Sequence, residues 1–383
     1  GTKIQNAGEK ISSLGSKATI GFTVPIVTAM GAATKSFINF DSQIKSMGAL
    51  LDDGHTSASK LKSELNSLGD ASKKWSVQYG VSTTQINDGM TEMIKKGYSF
   101  QQVMGGMPSI LNATKASGDD FNDVMKVSTS TLEQFGLKSN NTATMLKNTQ
   151  RVTDGLTYVA NKTSAGFTDM GYAMEYVGPV AHGLNMSLEE TSAAIGLMSN
   201  QGIEGQKAGT SLRGALSALL TPSKQNMEGF KALGVSVSDF KKGTLTLPDI
   251  LDNIKAKSKG MTKQQLQSNL ALAFGTEAQS GMNILVNEGG DALRKLTSET
   301  QNSTGYTKKL ADTMNDTAKA NVDKFKQSLN VLGIEAGQHL LPLVTEFLKH
   351  AKELIERFNN LDPATQKLIL NTGLAVAAGG PLI

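Results

Sequence analysis

The chain contains no cysteine at all among its 383 residues. That absence excludes disulfides, thiolate zinc sites and a cysteine nucleophile together, and it leaves the redox compartment open. Aromatic residues are scarce at 5%, with a single Trp, so a core must be filled by Leu, Ile, Val, Met and Ala. Charged residues reach only 19%, below the roughly 25% usual for soluble domains. The 38 basic and 34 acidic side chains leave +4, of which residues 1–74 carry +3 and residues 75–260 carry +1. No basic block stands out, so the counterion-release footprint of a nucleic-acid binder is missing and no sequence-specific nucleic-acid partner is expected. Glycine (39) and proline (8) together make about 12%, an average sum that sets aside collagen-like and linker-dominated chains.

Strand signals are nearly missing too. Val235-Ser-Val237-Ser and Thr244-Leu-Thr-Leu247 alternate, leaving room for one small two-stranded ribbon. Helix signals are abundant. Ser82-Thr-Thr-Gln85, Ser99-Phe-Gln-Gln102, Ser187-Leu-Glu-Glu190 and Thr262-Lys-Gln-Gln265 have the capping-box form, in which a hydroxyl takes the N3 amide and the Glu or Gln returns to the cap amide. Asp362-Pro363 adds a cap followed by proline at the first helical position. Gly97, Gly118, Gly136, Gly183 and Thr221-Pro222 supply stops. The expected fold class is all-α. Gly97-Tyr-Ser-Phe100 and Gly183-Leu-Asn-Met-Ser-Leu188 echo one another, as would a duplicated hairpin or any stack of capped helices.

Four sections are expected. Residues 1–75 form an N-terminal helical segment containing the uncharged stretch 18–34, read as buried helix in preference to membrane contact. Residues 76–285 form a compact helical core, and 286–361 a long amphipathic helical segment. Residues 362–383 begin a hydrophobic segment: Leu368–Ile383 has no charge over sixteen residues, short of the roughly 20 needed to span a bilayer. Both chain ends read as cut, so a longer protein is expected. In the long segment Leu310, Met314, Ala318, Val322, Phe325, Leu329, Leu332, Ala336, Leu340, Leu343, Phe347, Ala351, Leu354, Phe358 and Leu361 recur at steps of three or four. This apolar seam needs another helix to cover it, and Pro342 should kink or interrupt it.

The search for chemistry returns little. Glu204-Gly-Gln-Lys-Ala-Gly209-Thr-Ser fails the phosphate-loop pattern at its first glycine and at its lysine. Gly209-Thr-Ser211-Leu-Arg213 misses the nucleophile elbow at its last position, and Ser57-Ala-Ser-Lys60 lacks the motifs that accompany a Ser-x-x-Lys nucleophile. Glu335/His339 and Glu346/His350 have i,i+4 spacing, but a solvated His beside a carboxylate is the simpler reading than a metal site. Asp52-Asp53 and Asp119-Asp120 read as turn and cap residues. No catalytic residue, metal or cofactor is expected.

The most individual stretch is Asn200–Pro222, a glycine-rich turn feeding a helix with small residues on its flank. It resembles the signature of phage tail tape-measure proteins, a turn and helix of the form GI-G-xx-AGT-xLR ending in Leu-x-x-Pro. Here that pattern stands as Gly202-Ile203, Gly205, Ala208-Gly209-Thr210, Leu212-Arg213 and Leu219-Leu-Thr-Pro222. Thr23-Val-Pro25, Phe40-Asp41, Gly97-Tyr-Ser99, Leu341-Pro342 and Gly379-Gly-Pro381-Leu382 resemble further family segments in the family's order. One local departure is Arg151-Val-Thr-Asp154, where the family has Ala-Asp. The resemblance implies a structural virion protein in the lumen of the tail tube, acting in tail assembly, length determination and genome ejection through the host envelope. It implies partners too: other copies of the chain, the tail tube protein, tail assembly chaperones, distal tail proteins and the host membrane. The seam residues expected to meet another copy are Val322, Phe325, Leu329, Leu332, Leu343, Phe347, Leu354 and Phe358. Two rival readings are a muralytic tail enzyme whose catalytic domain lies elsewhere and a membrane-perturbing helical toxin or effector.

Overall fold

The computed structural model describes residues 24–366 except 140, 361 and 365. Among these residues there are 17 helices and no strand. The alternating segment is not a ribbon. Ser236 is the N-cap of the short helix Val237–Lys241, its hydroxyl accepting the Asp239 amide, and Leu247 opens the helix Leu247–Ser258. The period of two arises because a cap residue falls between two buried apolar ones, Val235 and Val237.

Residues 47–324 form one compact unit, and the described parts of 1–46 and 325–383 belong to another. The first unit is therefore wider than 76–285 at both ends. Its helices run in order α1 (Val24–Leu51, which begins in the other unit), α2 (Ala58–Tyr79), α3 (Thr83–Lys95), α4 (Phe100–Ser117), α5 (Phe121–Gln134) and α6 (Thr142–Lys162). Then follow α7 (Phe167–Gly183), α8 (Leu188–Ser199), α9 (Gly205–Leu220), α10 (Lys224–Leu233), α11 (Val237–Lys241) and α12 (Leu247–Ser258). Last come α13 (Lys263–Phe274), α14 (Thr276–Glu288), α15 (Gly290–Gln301), α16 (Tyr306–Met314) and α17 (Ala318–Asn359), the last continuing into the other unit.

Helix α8 is the centre. Eleven of its twelve residues are buried, which requires neighbours on every side. Helices α6, α7, α9, α14 and α15 supply them. The core around it has few rings, and methionines take their place: Met90, Met93, Met107, Met145, Met170, Met174, Met198 and Met282 are fully buried. The unbranched thioether fits irregular gaps between crossing helices.

One connector recurs. After α3, α7, α8 and α10 the chain takes a left-handed residue, an apolar residue, and then the next N-cap: Gly97-Tyr98-Ser99, Asn185-Met186-Ser187, Gly202-Ile203-Glu204 and Gly234-Val235-Ser236. In each, the apolar residue's amide returns to a carbonyl five residues back: Tyr98 to Met93 at 3.1 Å, Met186 to Ala181 at 2.9 Å, Ile203 to Met198 at 3.2 Å, Val235 to Phe230 at 2.9 Å. This is the six-to-one bond of a Schellman stop, with the apolar residue folded back on the helix it ends. The sequence echo between 97 and 183 has this local cause.

The capping boxes divide. Ser99/Gln102 and Thr262/Gln265 close in both directions. At Ser82 the return contact goes from the serine hydroxyl to Gln85 Oε1, and at Ser187 the Glu190 carboxylate turns into the protein instead. Ser57 is a cap as well, accepting the Lys60 amide at 3.4 Å, which accounts for the Ser-x-x-Lys spacing.

Helix crossings are close. A Cβ on Gly229 would lie 2.7 Å from Ala273 Cα, so α10 and α13 meet backbone to backbone. Gly229→Ala therefore has to push the two helices apart. We expect a lower melting temperature from a loss of about 1–3 kcal/mol, measured by circular dichroism at 222 nm.

Candidate functional site

The signature segment is built for packing. Gly202 (φ 81°) and Gly205 (φ 53°) shape the turn, and α9 starts at Gly205 with Glu204 as N-cap. Gly209 lies inside the helix, not in the turn. A Cβ there would lie 2.8 Å from Ala173 Cα and closer still to the Ala173 carbonyl, so α9 crosses α7 with no room for a side chain. Ala208, Leu212, Ala215, Leu216 and Leu219 are buried beneath it. On the far flank Ser211 donates to the Ala278 carbonyl at 3.3 Å, and a Cβ on Gly281 would meet Met198 Sδ at 3.0 Å. The segment thus clamps α7, α8 and α14 onto one another. Ile203, Thr210 and Pro222 are half-buried, with Ile203 and Thr210 bordering a cleft of about 500 Å³ that also includes Lys207 and Glu277. Arg213 is exposed, its guanidinium 5.4 Å from the centre of the Tyr176 ring.

Arg151 and Asp154, which the sequence marks only as a local departure from the family pattern, are both anchors. Arg151 makes a two-pronged ion pair with Glu189 at 2.6 and 2.7 Å, joining α6 to the central helix. The Glu189 side chain is 4% exposed, so the pair is desolvated at its acidic end. Asp154, also buried, accepts the amides of Gly305 at 2.7 Å and Thr307 at 2.9 Å and so caps α16 across the fold. Asp119 acts similarly on α7, taking the Thr168 amide and hydroxyl, while Asp120 caps α5. Asp119 and Asp120 carry an advance signal, acidic residues beside a helix start, which does not say which helix each caps; Arg151 and Asp154, in the middle of α6, carry none.

Burial pushes the Glu189 carboxyl up, but the Arg151 hydrogen bonds and the guanidinium charge outweigh it, and the group lies below the usual carboxylate range. Its stabilising contribution is complete above the unfolded carboxylate pKa and is lost as pH falls through the lower folded value. Glu190 is the reverse. Burial first, and the Asp249 charge second, hold it above the usual range, and its buried Oε1 has no hydrogen-bond partner. Folding favours its neutral form, so ionisation costs stability as pH rises above the unfolded value.

The remaining candidates stay apart. His350 faces Glu346 at 4.0 Å and Glu353 at 3.7 Å on an exposed helix surface, and His339 is exposed. Among the described residues no group of three His, Asp or Glu side chains could hold a metal ion. Asp53 accepts the His55 and Thr56 amides in a turn.

The seam divides at Asn315. Leu310 and Met314 lie on the separate helix α16, and α17 begins at Ala318, so the run is two helices and not one. The helix continues through Pro342 without interruption. Val322, Phe325, Leu329, Leu332 and Leu343 are all more than half exposed. The side chains of Phe347, Leu354 and Phe358 lie outside the described ones, as do residues 18–23 and 368–383. Within the second unit α17 packs on α1 by a different face: Ile334 and Gly337 are buried, and a Cβ on Gly337 would lie 2.8 Å from Phe37 Cβ. Among the described residues no helix is long and apolar enough to cross a membrane.

Residues 69–275, most of the first unit, match the family model described as phage-related minor tail protein. The chain belongs to that family, the tape measure proteins of phage tails. It is 30% identical to the tape measure protein of Pneumococcus phage Dp-1 over 376 residues, covering 98% of this chain and 32% of that protein. It is 30% identical to the probable tape measure protein of Escherichia phage P2 over 233 residues, 60% of this chain and 28% of that one. The chain thus spans about a third of the length of these tape measure proteins. No solved structure matches it. The family match includes the whole of the segment 202–222, and the structure accounts for Gly209 by the α7–α9 crossing and for Gly202 and Gly205 by their positive φ in the turn.

Gly209→Val should lower the melting temperature markedly, and Leu212→Asp should cost several kcal/mol by burying a charge. Arg213→Ala, at an exposed site, should cost about 0.5–1 kcal/mol at most. Arg151→Ala leaves Glu189 buried without its partner and should cost roughly 2–3 kcal/mol, the half-exposed arginine tempering the loss. Glu190→Gln should raise stability at pH 7, with the gain fading towards pH 4; denaturant unfolding across pH reads both signs.

Proposed function

We propose that this chain is the folded core region and following helix of a tape measure protein: a structural component of the tail, working inside the tail tube in assembly and length determination and leaving with the genome at infection. Family membership supports the tail role. The observation that carries the working surface is the stripe Val322, Phe325, Leu329, Leu332 and Leu343, exposed on a helix of 42 residues. At 1.5 Å per residue that helix is roughly 63 Å long. The exposed apolar stripe runs along about 32 Å of it, from Val322 to Leu343, and with Lys and Asp or Glu on its flanks it has the pattern of a helix that packs on other helices. In a narrow tube the neighbours with a matching stripe are further copies of the same chain. The tube protein, assembly chaperones and distal tail proteins are the other partners this role requires, and the host envelope is where the released chain acts. No hydrolytic step belongs to this role.

Sedimentation of the whole chain across concentrations tests the stripe. We expect reversible association that Phe325→Lys with Leu329→Lys abolishes while the melting temperature of the core is kept. A monomer at every concentration, or association unaffected by the two lysines, would remove the seam from this role. Zymography on peptidoglycan should be blank.

A further inference from the structure

The break between α16 and α17 is at odds with the chain around it. Leu310, Met314, Ala318, Val322, Phe325, Leu329 and Leu332 keep one register across it: at 100° per residue they share an arc of about 120°. The residues of the break, Asn315-Asp316-Thr317, include neither Pro nor Gly, so nothing in the backbone forbids a continuous helix. The separation is made by side chains and docking. Thr317 caps the first turn of α17 by accepting the Ala320 amide at 3.2 Å, and Asn315 Nδ2 donates to the Gln78 carbonyl at 3.1 Å.

Helix α16 is held on α4 and α6 with modest means. Thr307 and Ala311 are its fully buried residues, on the same arc as Leu310 and Met314. Tyr306 stacks edge-on against Tyr158 at 5.0 Å, and the Asp154 carboxylate grips the amides at the start of the helix. Two polar atoms are left buried without hydrogen bonds in this arrangement, Thr307 Oγ1 and Asn315 Oδ1. A local cost of that kind, set against an uninterrupted apolar register, marks an element with two packings close in free energy.

We propose that α16 is a releasable first segment of the long helix. In one state it lies on the core, with Thr307 and Ala311 buried and Leu310 half-buried, while Met314 stays exposed. When Asp154 lets go of its start, residues 306–359 form one continuous helix, and Leu310 and Ala311 are uncovered beside Met314, which is already exposed. The core then acts as a removable cover for the end of that stripe, and Asp154 is the positioning residue that holds it.

The cysteine-free sequence allows spin labels to be placed at will. Labels at Lys162 and Lys309 report docking, and labels at Lys309 and Lys326 report continuity, because an unbroken helix sets them about 26 Å apart. In the parent chain we expect a single narrow 162–309 distance. Asp154→Ala should remove that distance and bring up a 26 Å peak between 309 and 326. Replacing Asn315, Asp316 and Thr317 together by Ala, with Asp154 kept, should bring up the same peak in part. Ala318→Pro, at a first helical position where proline is tolerated, should abolish the peak in every background and keep the docked distance wherever Asp154 is present. Emission from Trp75, the one tryptophan and a buried core residue, verifies that the core stays folded. The proposal is overturned if release gives a broad 309–326 distribution. It also fails if the triple-alanine chain keeps the docked distance alone.

Discussion

The first unit depends on how closely backbones approach the central helix. Helix α8 is surrounded by five others, and a twelve-residue helix can touch five neighbours only if many contacts are made by small side chains or none. Ala193, Ala194 and Gly196 on α8 supply part of this: a Cβ on Gly196 would lie 2.9 Å from Thr163 Cγ2. Gly281 of α14 comes close to Met198 of α8 in the same way, and Gly209 against Ala173 brings α9 onto α7. Close approach increases dispersion contacts per residue and makes each site intolerant of added volume. The scarcity of aromatic residues follows, since rings would hold these helices apart.

Polar anchors then fix which helices meet. Dispersion does not choose between one alanine-lined face and another, whereas a buried carboxylate with two aimed donors has few satisfactory partners. The Arg151–Glu189 pair orients α6 against α8, Asp154 places the start of α16, and Asp119 places the start of α7. Each joins segments far apart in sequence. Register among smooth helices is set by a few charges.

The helices themselves were legible from local signals. Caps at Ser82, Ser99, Ser187 and Thr262 mark starts, and glycines mark stops, because capping is settled within one turn. Tertiary choices were not. The Ser187 box half-opens because Glu190 is drawn between helices, and the seam breaks at Asn315 although its spacing runs on. The Val235–Leu247 alternation looked like strand because caps and stops, when crowded, imitate a period of two. In the signature segment the sequence marked a packing device; which helix it met, α7 through Ala173, was beyond local pattern. Arg151 and Asp154 were hidden because their partners lie at 189 and at 305–307.

Filling the centre with thioethers in place of rings and thiols gives the fold a chemical memory. Met198 and Met282 are fully buried while the helices stay closed, and conversion to the sulfoxide would place a polar oxygen in a packed core. Such a lesion accrues in molecules that have opened and then hinders their closing. In this chain, which has no cysteine, exposure to peroxide is therefore written in the buried methionines, and their modification marks the molecules that have come apart.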